Sequence, residues 1–291
     1  MKRITGFLPI ILALFAACDS GYNESSKPVV VVSIAPQKYF VQRIADTLVN
    51  VEVMVPSGSS PETYEPTASQ LRIIGKAEAY FSLGLMEFEL SVLKRIQKQN
   101  HNLHVVNHSK SLNLMESECH DHHQGHSHHQ GHDPHVWTSP LAVKRMVNEI
   151  VSLLSKRFPE HSNVFYENSE SFLNDIDELD TFIKSELEDV KSTKFFIFHP
   201  ALTYYARDYG LTQIAFEEDG KSPSMQYFKS VLNEAQKQGA NTIFIQKEFD
   251  VNTAKTAATD IKGKVEVIDP LKEDWLENMY EITGKLKKAL N

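Results

Sequence analysis

The chain has 291 residues, of which 41% are hydrophobic and 23% are charged, with 38 acidic residues, 30 basic residues and 13 histidines. This composition excludes a disordered chain, and the presence of only two cysteines excludes a disulfide-rich scaffold or a cysteine-rich zinc module. A formal net charge of −8 argues against nucleic acid as the main partner. The length predicts one or two domains, and seven of the histidines fall within residues 120–132.

The first 17 residues have the features of a signal peptide. Two basic residues near the N-terminus precede an uncharged, largely apolar run of about 14 residues, which is too short to span a membrane. Small residues then precede Cys18, as in a bacterial lipobox, where the cysteine is lipidated. Phe15 fits that motif poorly, so ordinary cleavage stays an alternative, and a buried N-terminal helix is a third. Residues 18–28 predict a polar tether, and a lipidated Cys18 leaves Cys119 without a disulfide partner.

Eight short runs rich in β-branched and aromatic residues predict strands. The runs are nearly continuously apolar, which indicates strands buried on both faces of a parallel sheet. They are Val29–Ile34, Val51–Val55, Ala79–Leu83, Leu103–Asn107, Lys194–Phe198, Gln213–Phe216, Thr242–Gln246 and Val265–Ile268. Because amphipathic helical segments separate them, the pattern predicts βαβ units and an α/β fold.

Two long helical segments interrupt this alternation in the middle of the chain. Pro140–Phe158 predicts one helix, and Asn163–Val190 predicts another, whose apolar residues recur every three or four positions. At 1.5 Å per residue the second helix would extend about 42 Å. We therefore predict an N-terminal lobe at residues 29–162 and a C-terminal lobe at 192–291, joined by a linking helix at 163–191. Each lobe contains four of the predicted strands, and no flexible Gly/Ser hinge separates them.

Potential metal ligands follow four of the predicted strands, at the end where ligands bind in open parallel sheets. Glu62 follows the second strand, His135 comes after the fourth, His199 follows the fifth and Asp269 follows the eighth. Two imidazoles and two carboxylates, one of each kind from either lobe, suit a divalent cation in the cleft between the lobes. Simpler roles remain open: a helix N-cap for Asp269, a solvated loop carboxylate for Glu62 and a hydrogen-bonded strand-end residue for His199.

Several motifs, in order along the chain, resemble those of the ZnuA/TroA-like (cluster A-I) metal-specific substrate-binding proteins of bacterial ABC importers. They are Tyr64-Glu65-Pro66-Thr67, Asp133-Pro134-His135-Val136-Trp137-Thr138-Ser139-Pro140, Phe198-His199-Pro200-Ala201 followed by residues 204–211, and Val267-Ile268-Asp269-Pro270-Leu271. The similarity extends from Val29 to the C-terminus. It implies an α/β fold of two (β/α)4 lobes with parallel sheets, joined by a long backbone-spanning helix, with the metal site in the interlobe cleft.

The resemblance also implies a set of metal ligands, with one departure from the family pattern. The family has histidine after the proline of its first motif, where this chain has Glu62. The implied ligands are therefore Glu62, His135, His199 and Asp269, with Glu65 as a weaker candidate because it belongs to a non-ligand segment of the family. Two carboxylates balance the charge of a divalent ion, and they are compatible with Mn²⁺ or Fe²⁺ as well as Zn²⁺.

The His-rich loop at residues 119–133 lacks core residues and predicts a mobile, solvated insertion. Related zinc-type proteins carry such insertions, so we interpret it as an accessory zinc-capture segment. Its histidines are His120, His122, His123, His126, His128, His129 and His132. The alternative is an insertion whose affinity for metal is incidental. Imidazole suits zinc better than manganese, so the loop favours zinc as the cargo.

Together these features predict a binding protein, not an enzyme. It would be a monomeric receptor of the bacterial cell envelope that delivers Zn²⁺ to an ABC permease. It would lie on the periplasmic or surface side of a membrane, anchored through Cys18. Since the chain contains no Walker motif, the ATPase would be another subunit. Alternatives are a Mn²⁺ or Fe²⁺ receptor of the same family, a zinc hydrolase, and an adhesin or metal-store lipoprotein. Four converging ligands would leave no open position for the water of a hydrolase, and there is no His-Glu-x-x-His motif.

Overall fold

The structure is a computed structural model that describes residues 27–116, 131–217, 223–249 and 251–291, without the side chain of Thr253. The predicted signal peptide, Cys18 and most of the tether lie outside the described residues. So do six of the seven accessory histidines, namely His120, His122, His123, His126, His128 and His129. Among the helices that are described, none combines the length and the apolar character needed to cross a membrane.

Within the described ranges, eight strands form two four-stranded parallel sheets. The first sheet has the order β2-β1-β3-β4 and contains β1 (Val29–Val32), β2 (Asn50–Val53), β3 (Ala79–Ser82) and β4 (His104–Asn107). The second has the equivalent order β6-β5-β7-β8 and contains β5 (Lys194–Ile197), β6 (Thr212–Ala215), β7 (Thr242–Gln246) and β8 (Lys264–Ile268). The prediction of an α/β fold with two parallel sheets is confirmed, because each predicted strand overlaps an observed one.

Burial separates the central strands of each sheet from the edge strands. The central strands β1, β3, β5 and β7 are almost entirely buried. The edge strands β2, β4, β6 and β8 alternate between half-buried and exposed positions or are half-buried throughout much of their length. An edge strand has a neighbour on one side only, so the prediction of burial on both faces is right for the central strands and wrong for the edges.

Nine helices surround the two sheets in the described part of the chain. The N-terminal lobe contains α1 (Ala35–Ala45), α2 (Ala68–Ile74), α3 (Glu87–Gln99) and α4 (Pro140–Arg157). The linking helix is α5 (Ser162–Leu187), and the C-terminal lobe contains α6 (Thr203–Asp208), α7 (Met225–Lys237), α8 (Val251–Asp260) and α9 (Trp275–Leu290). The start of α4 is well defined, because the Ser139 hydroxyl accepts a hydrogen bond from the Ala142 amide and Pro140 occupies the first helical position.

The linking helix α5 packs against both lobes. Its 26 residues span about 39 Å, and it contacts α1 and α4 of the first lobe and α9 of the second. Phe172 lies 6.0 Å from the ring of Phe40 and 6.3 Å from that of Trp275, so it touches an aromatic side chain of each lobe. One hydrophobic core runs through both lobes, and a smaller one lies in the second lobe around β5 and β7. A shared core, with no flexible hinge, therefore joins the lobes.

Candidate metal centre

His135 is held in a fixed orientation by the acidic residue two positions before it. The carboxylate Oδ1 of Asp133 accepts a hydrogen bond of 2.8 Å from the His135 amide and lies 3.0 Å from Nδ1 of the imidazole. Both residues are only 5% exposed. Because a histidine that donates Nδ1–H to a carboxylate keeps the lone pair of Nε2 free, Asp133 prepares Nε2 of His135 to bind a metal.

His199 has the same arrangement with a carboxylate from a different element. It comes two residues after β5, and its Nδ1 atom contacts the carboxylate of Glu217, which comes two residues after the neighbouring strand β6. The backbone carbonyl of His199 accepts a hydrogen bond of 2.5 Å from the Gln246 side chain, and its ring stacks on Phe249 with centroids 4.9 Å apart. Its Nε2 atom faces inward, toward His135.

Glu62 meets the two imidazoles from the loop that follows β2. Its Oε1 atom lies 3.4 Å from Nε2 of His199 and 3.9 Å from Nε2 of His135, and the two Nε2 atoms are 3.4 Å apart. The tetrahedral edge around an ion with ligands at about 2.05 Å is about 3.3 Å, so these three atoms have nearly the spacing of a tetrahedral zinc shell. Among the described residues, this is the group of side chains with the geometry to hold a metal ion.

The charges in this group are strongly coupled. Burial alone would lower the pKa of His199, but hydrogen bonds to Glu217 and Glu62 outweigh burial and raise that pKa to about 10. Burial would raise the pKa of Glu62, yet the hydrogen bond from His199 and the charges of both histidines hold it below its usual value. At neutral pH these shifts favour an ionised Glu62 beside a protonated His199, and a divalent cation bound here would displace that proton.

Asp269, the fourth predicted ligand, lies outside the group formed by Glu62, His135 and His199. Its Oδ1 atom accepts a hydrogen bond from the Leu271 amide at 3.1 Å, and its Oδ2 atom lies 3.6 Å from the ammonium of Lys247. Asp269 therefore organises the turn after β8, whereas the helix N-cap considered for it from the sequence falls to Asp274, at the start of α9. The structure brings together three of the four predicted ligands and leaves Asp269 paired elsewhere.

The remaining histidines of the described chain stay away from the centre. His132 is exposed and forms an isolated bridge with Glu116, so the two ends of the His-rich segment meet just before Asp133. His108 is buried in the first lobe, with Nδ1 lying 2.5 Å from Glu149. Glu65, the weaker candidate for the first ligand, is exposed and lies outside the group.

Sequence reasoning missed the residues that surround the three ligands. Glu217 was not singled out, although it follows a strand end, which is the criterion that identified His199. Gln246 and Glu248 were also missed; Gln246 is the last residue of β7, Glu248 follows it, and both line the same pocket as Glu62, His135 and His199. Burial, to which the charge of Asp269 adds, raises the pKa of Glu248 above its usual value.

Hydrogen bonds from two tryptophans connect the lobes beside the centre. The indole Nε1 of Trp137 donates to the backbone carbonyl of Pro270, and that of Trp275 donates to the carbonyl of Trp137, both at 2.8 Å. Both side chains are essentially inaccessible to solvent. Two parallel α/β lobes share a core, and two buried imidazoles and one half-buried carboxylate meet between them. This arrangement is that of a two-lobed substrate-binding protein with a candidate cation site.

Comparisons with known proteins specify the family. The chain belongs to the ZnuA family, described as "Zinc-uptake complex component A periplasmic", whose sequence model matches residues 30–289. It is 28% identical over 271 residues to the "High-affinity zinc uptake system protein ZnuA" of Bacillus subtilis (strain 168), covering 89% of this chain and 85% of that protein. A solved structure described as "Crystal structure of ZnuA" superposes with a TM-score of 0.84 at 33% identity, covering 91% of this chain and all of the other.

A longer relative is also similar over the whole chain. The "Zinc-binding lipoprotein AdcA" of Streptococcus pneumoniae (strain ATCC BAA-255 / R6) is 27% identical over 305 residues. The match covers 100% of this chain but 60% of AdcA, so the chain spans about three fifths of the length of that relative. These comparisons confirm the resemblance recognised in the motifs and the fold that it implied.

Proposed function

We propose that this chain is an extracytoplasmic zinc receptor that binds one Zn²⁺ through Glu62, His135 and His199 and delivers it to an ABC import permease. The observation that carries the proposal is the spacing of 3.4–3.9 Å among the three ligand atoms, with each histidine oriented by its own carboxylate. The names of the related ZnuA and AdcA proteins, which refer to zinc, support the choice of metal.

The rest of the receptor model follows from the sequence. The chain would be a monomer, anchored through a lipidated Cys18 on the envelope side of a membrane, and the ATPase would be a separate subunit. The His-rich segment would supply additional, weaker zinc-binding groups. His132, which lies at the foot of that segment, precedes His135 by three positions, and this short path supports a role in capture.

A manganese or iron receptor is the second candidate, because Glu62 stands where the family has an imidazole. A carboxylate in the ligand set makes the site more favourable for Mn²⁺ or Fe²⁺ than three imidazoles would. Two neutral nitrogens with a single carboxylate nevertheless remain a typical environment for zinc. A competitive titration of Zn²⁺ against Mn²⁺ ranks the two metals directly.

A zinc hydrolase is favoured by one observation, since three ligands leave a fourth position at which water can bind. The family to which the chain belongs is a component of zinc-uptake complexes, which favours binding without turnover. The metal-loaded protein should therefore show no sustained hydrolysis of ester or phosphoester substrates. Turnover that disappears in a His199→Ala variant would identify a hydrolase instead.

The receptor proposal is tested by metal binding and by uptake. Glu62→Ala, His135→Ala and His199→Ala should each lose Zn²⁺ affinity in a chelator competition, whereas His101→Ala, which alters an exposed histidine far along the chain from the ligands, should not. In cells lacking the chain, the wild type should restore zinc uptake and the three ligand variants should not. Wild-type affinity in all three variants would contradict the proposed site, and restored uptake by them would contradict the proposed function.

A further inference from the structure

The pocket that contains the three ligands is also lined by a carboxylate with one oxygen that has no hydrogen-bonding partner. The Oε2 atom of Glu248 is buried and makes no hydrogen bond in the structure, although its side chain lines the same pocket as Glu62, His135 and His199. A buried charged oxygen without a partner is costly, and an ion or a polar ligand that binds in the pocket would remove this cost.

Gln246, at the end of β7, carries a second acceptor of the same kind. Its side chain is 2% exposed, and its Nε2 atom donates to the carbonyl of His199. This hydrogen bond fixes the amide so that its Oε1 atom is buried without a partner on the wall of the same pocket. Two unsatisfied oxygens from one strand end therefore border the pocket that contains the ligand group.

Charge distinguishes Glu248 from Asp269 as the source of a further ligand. Asp269 already faces Lys247 through one oxygen, and its other oxygen accepts a backbone hydrogen bond, so an ion would compete with an existing contact at either oxygen. Glu248 gives up no hydrogen bond through Oε2, and with Glu62 it would supply the two negative charges that balance a divalent cation. The pair of Asp269 and Lys247 then stays intact and electrically neutral.

We propose that Glu248, not Asp269, supplies the fourth protein ligand to the metal, and that the Oε1 atom of Gln246 orients it or accepts a hydrogen bond from a metal-bound water. The proposal rests on the proposed function, because it concerns the same centre. Glu248 is not part of the group formed by Glu62, His135 and His199, whose ligand atoms lie within 4.8 Å of one another. Its side chain therefore has to rotate toward the cation when the ion binds. Residues 247–249 lie in a turn outside the helices and strands, and the backbone bonds of Lys247 to Ile268 and of Phe249 to Gln246 hold this turn while the Glu248 side chain changes rotamer.

The test compares two isosteric variants in the full-length, metal-stripped protein, Glu248→Gln and Asp269→Asn. A third variant, Glu266→Gln, is the control because Glu266 pairs with Lys264 and Lys285 outside the pocket. The measurements are Zn²⁺ affinity by chelator competition, the visible absorption of the Co²⁺-substituted protein, which reports ligand number, and the thermal midpoint of the metal-free protein. A His135→Ala variant is measured in parallel and reports on the proposed function.

We expect Glu248→Gln to weaken Zn²⁺ binding by about 100-fold and to change the Co²⁺ spectrum, whereas Asp269→Asn weakens it by less than about threefold. Glu248→Gln should also raise the thermal midpoint of the metal-free protein, because it removes a buried charge, and this separates loss of a ligand from misfolding. Wild-type affinity in Glu248→Gln would overturn the inference, whether or not Asp269→Asn is impaired. Wild-type affinity in His135→Ala would instead overturn the proposed function.

Discussion

The indole Nε1 of Trp275 donates a hydrogen bond of 2.8 Å to the backbone carbonyl of Trp137, which connects the second lobe to the segment that carries His135. These are the only two tryptophans of the chain, and the ring of Trp137 lies 5.1 Å from that of His135. The tryptophan fluorescence of the protein therefore originates at the interface between the two lobes, beside the candidate centre. This arrangement gives a spectroscopic signal for metal binding that needs no label.

Metal binding should change the tryptophan emission, and the change should come mainly from Trp137. Trp137→Phe should remove most of the Zn²⁺-dependent signal, while Trp275→Phe should retain it, because the Trp137 ring is the one in contact with a ligand imidazole. The measurement is a fluorescence titration of the metal-stripped protein, with His101→Ala as a control that keeps the signal. A response that survives in Trp137→Phe and disappears in Trp275→Phe would contradict this account.

Replacing the carboxylate behind His199 should weaken metal binding without removing a ligand. Glu217→Gln should lower Zn²⁺ affinity by about 10–100-fold, the range found for groups that orient ligand histidines. Glu149→Gln is a matched control, because Glu149 contacts the buried His108 in the same way but outside the centre. Equal losses of Zn²⁺ affinity in the two variants would show that the effect comes from general stability, not from orientation of His199.

Zinc binding should release one proton from His199 at neutral pH. The pKa of His199 is raised to about 10 by Glu217 and Glu62 despite burial, whereas that of Glu62 is lowered, so only the histidine brings a proton to lose. Affinity should therefore fall by about tenfold per unit as pH decreases from 9 to 7. Calorimetry in buffers of different ionisation enthalpy counts the released protons. A count near zero at pH 7 would contradict the charge assignment.

The same pKa shift predicts how the metal-free protein responds to alkali. Because the pKa of His199 is higher in the folded state than the unfolded value of about 6.5, its stabilising effect is complete below that value. The effect is lost progressively as pH rises from 6.5 through about 10. The free energy of unfolding measured in denaturant should decrease over this range, and His199→Ala should flatten the decrease. An unchanged pH profile in the variant would assign the effect to other groups.

The shared core predicts that the two lobes unfold together. Phe172→Ala should destabilise the protein by about 3–5 kcal/mol, because this buried ring packs between Phe40 and Trp275 from different lobes. Denaturation followed by tryptophan fluorescence and by circular dichroism should give one coincident transition in the wild type. Two separate transitions would show that the lobes are independent units with a weak interface, which would contradict this prediction.

The sequence predicts the fold well, because strand and helix patterns are local properties of the chain. Nearly continuous apolar runs identified β1, β3, β5 and β7, and the same logic overestimated the burial of the edge strands. Position along a sheet is a tertiary property, and the residue types of a short strand carry little information about it.

The candidate centre was predicted only in part, because its surroundings, like the burial of the edge strands, depend on tertiary structure. Glu62, His135 and His199 were expected from their positions after strands and from the family motifs, and the structure brings them together. Asp269 satisfied the same criteria, yet its contacts with Lys247 and Leu271 depend on loop conformation, which the spacing of motifs does not encode. Glu248 was invisible for the same reason, because only the folded loop shows that its carboxylate oxygen is buried without a partner.

Anomalous diffraction at the zinc absorption edge, from protein purified without added metal, tests the central claim most directly. The account predicts one strong peak within about 2.2 Å of Nε2 of His135, Nε2 of His199 and a carboxylate oxygen of Glu62. The peak should disappear when data are collected below the edge. A peak elsewhere in the molecule, or none at this position in protein shown by elemental analysis to contain zinc, would contradict it.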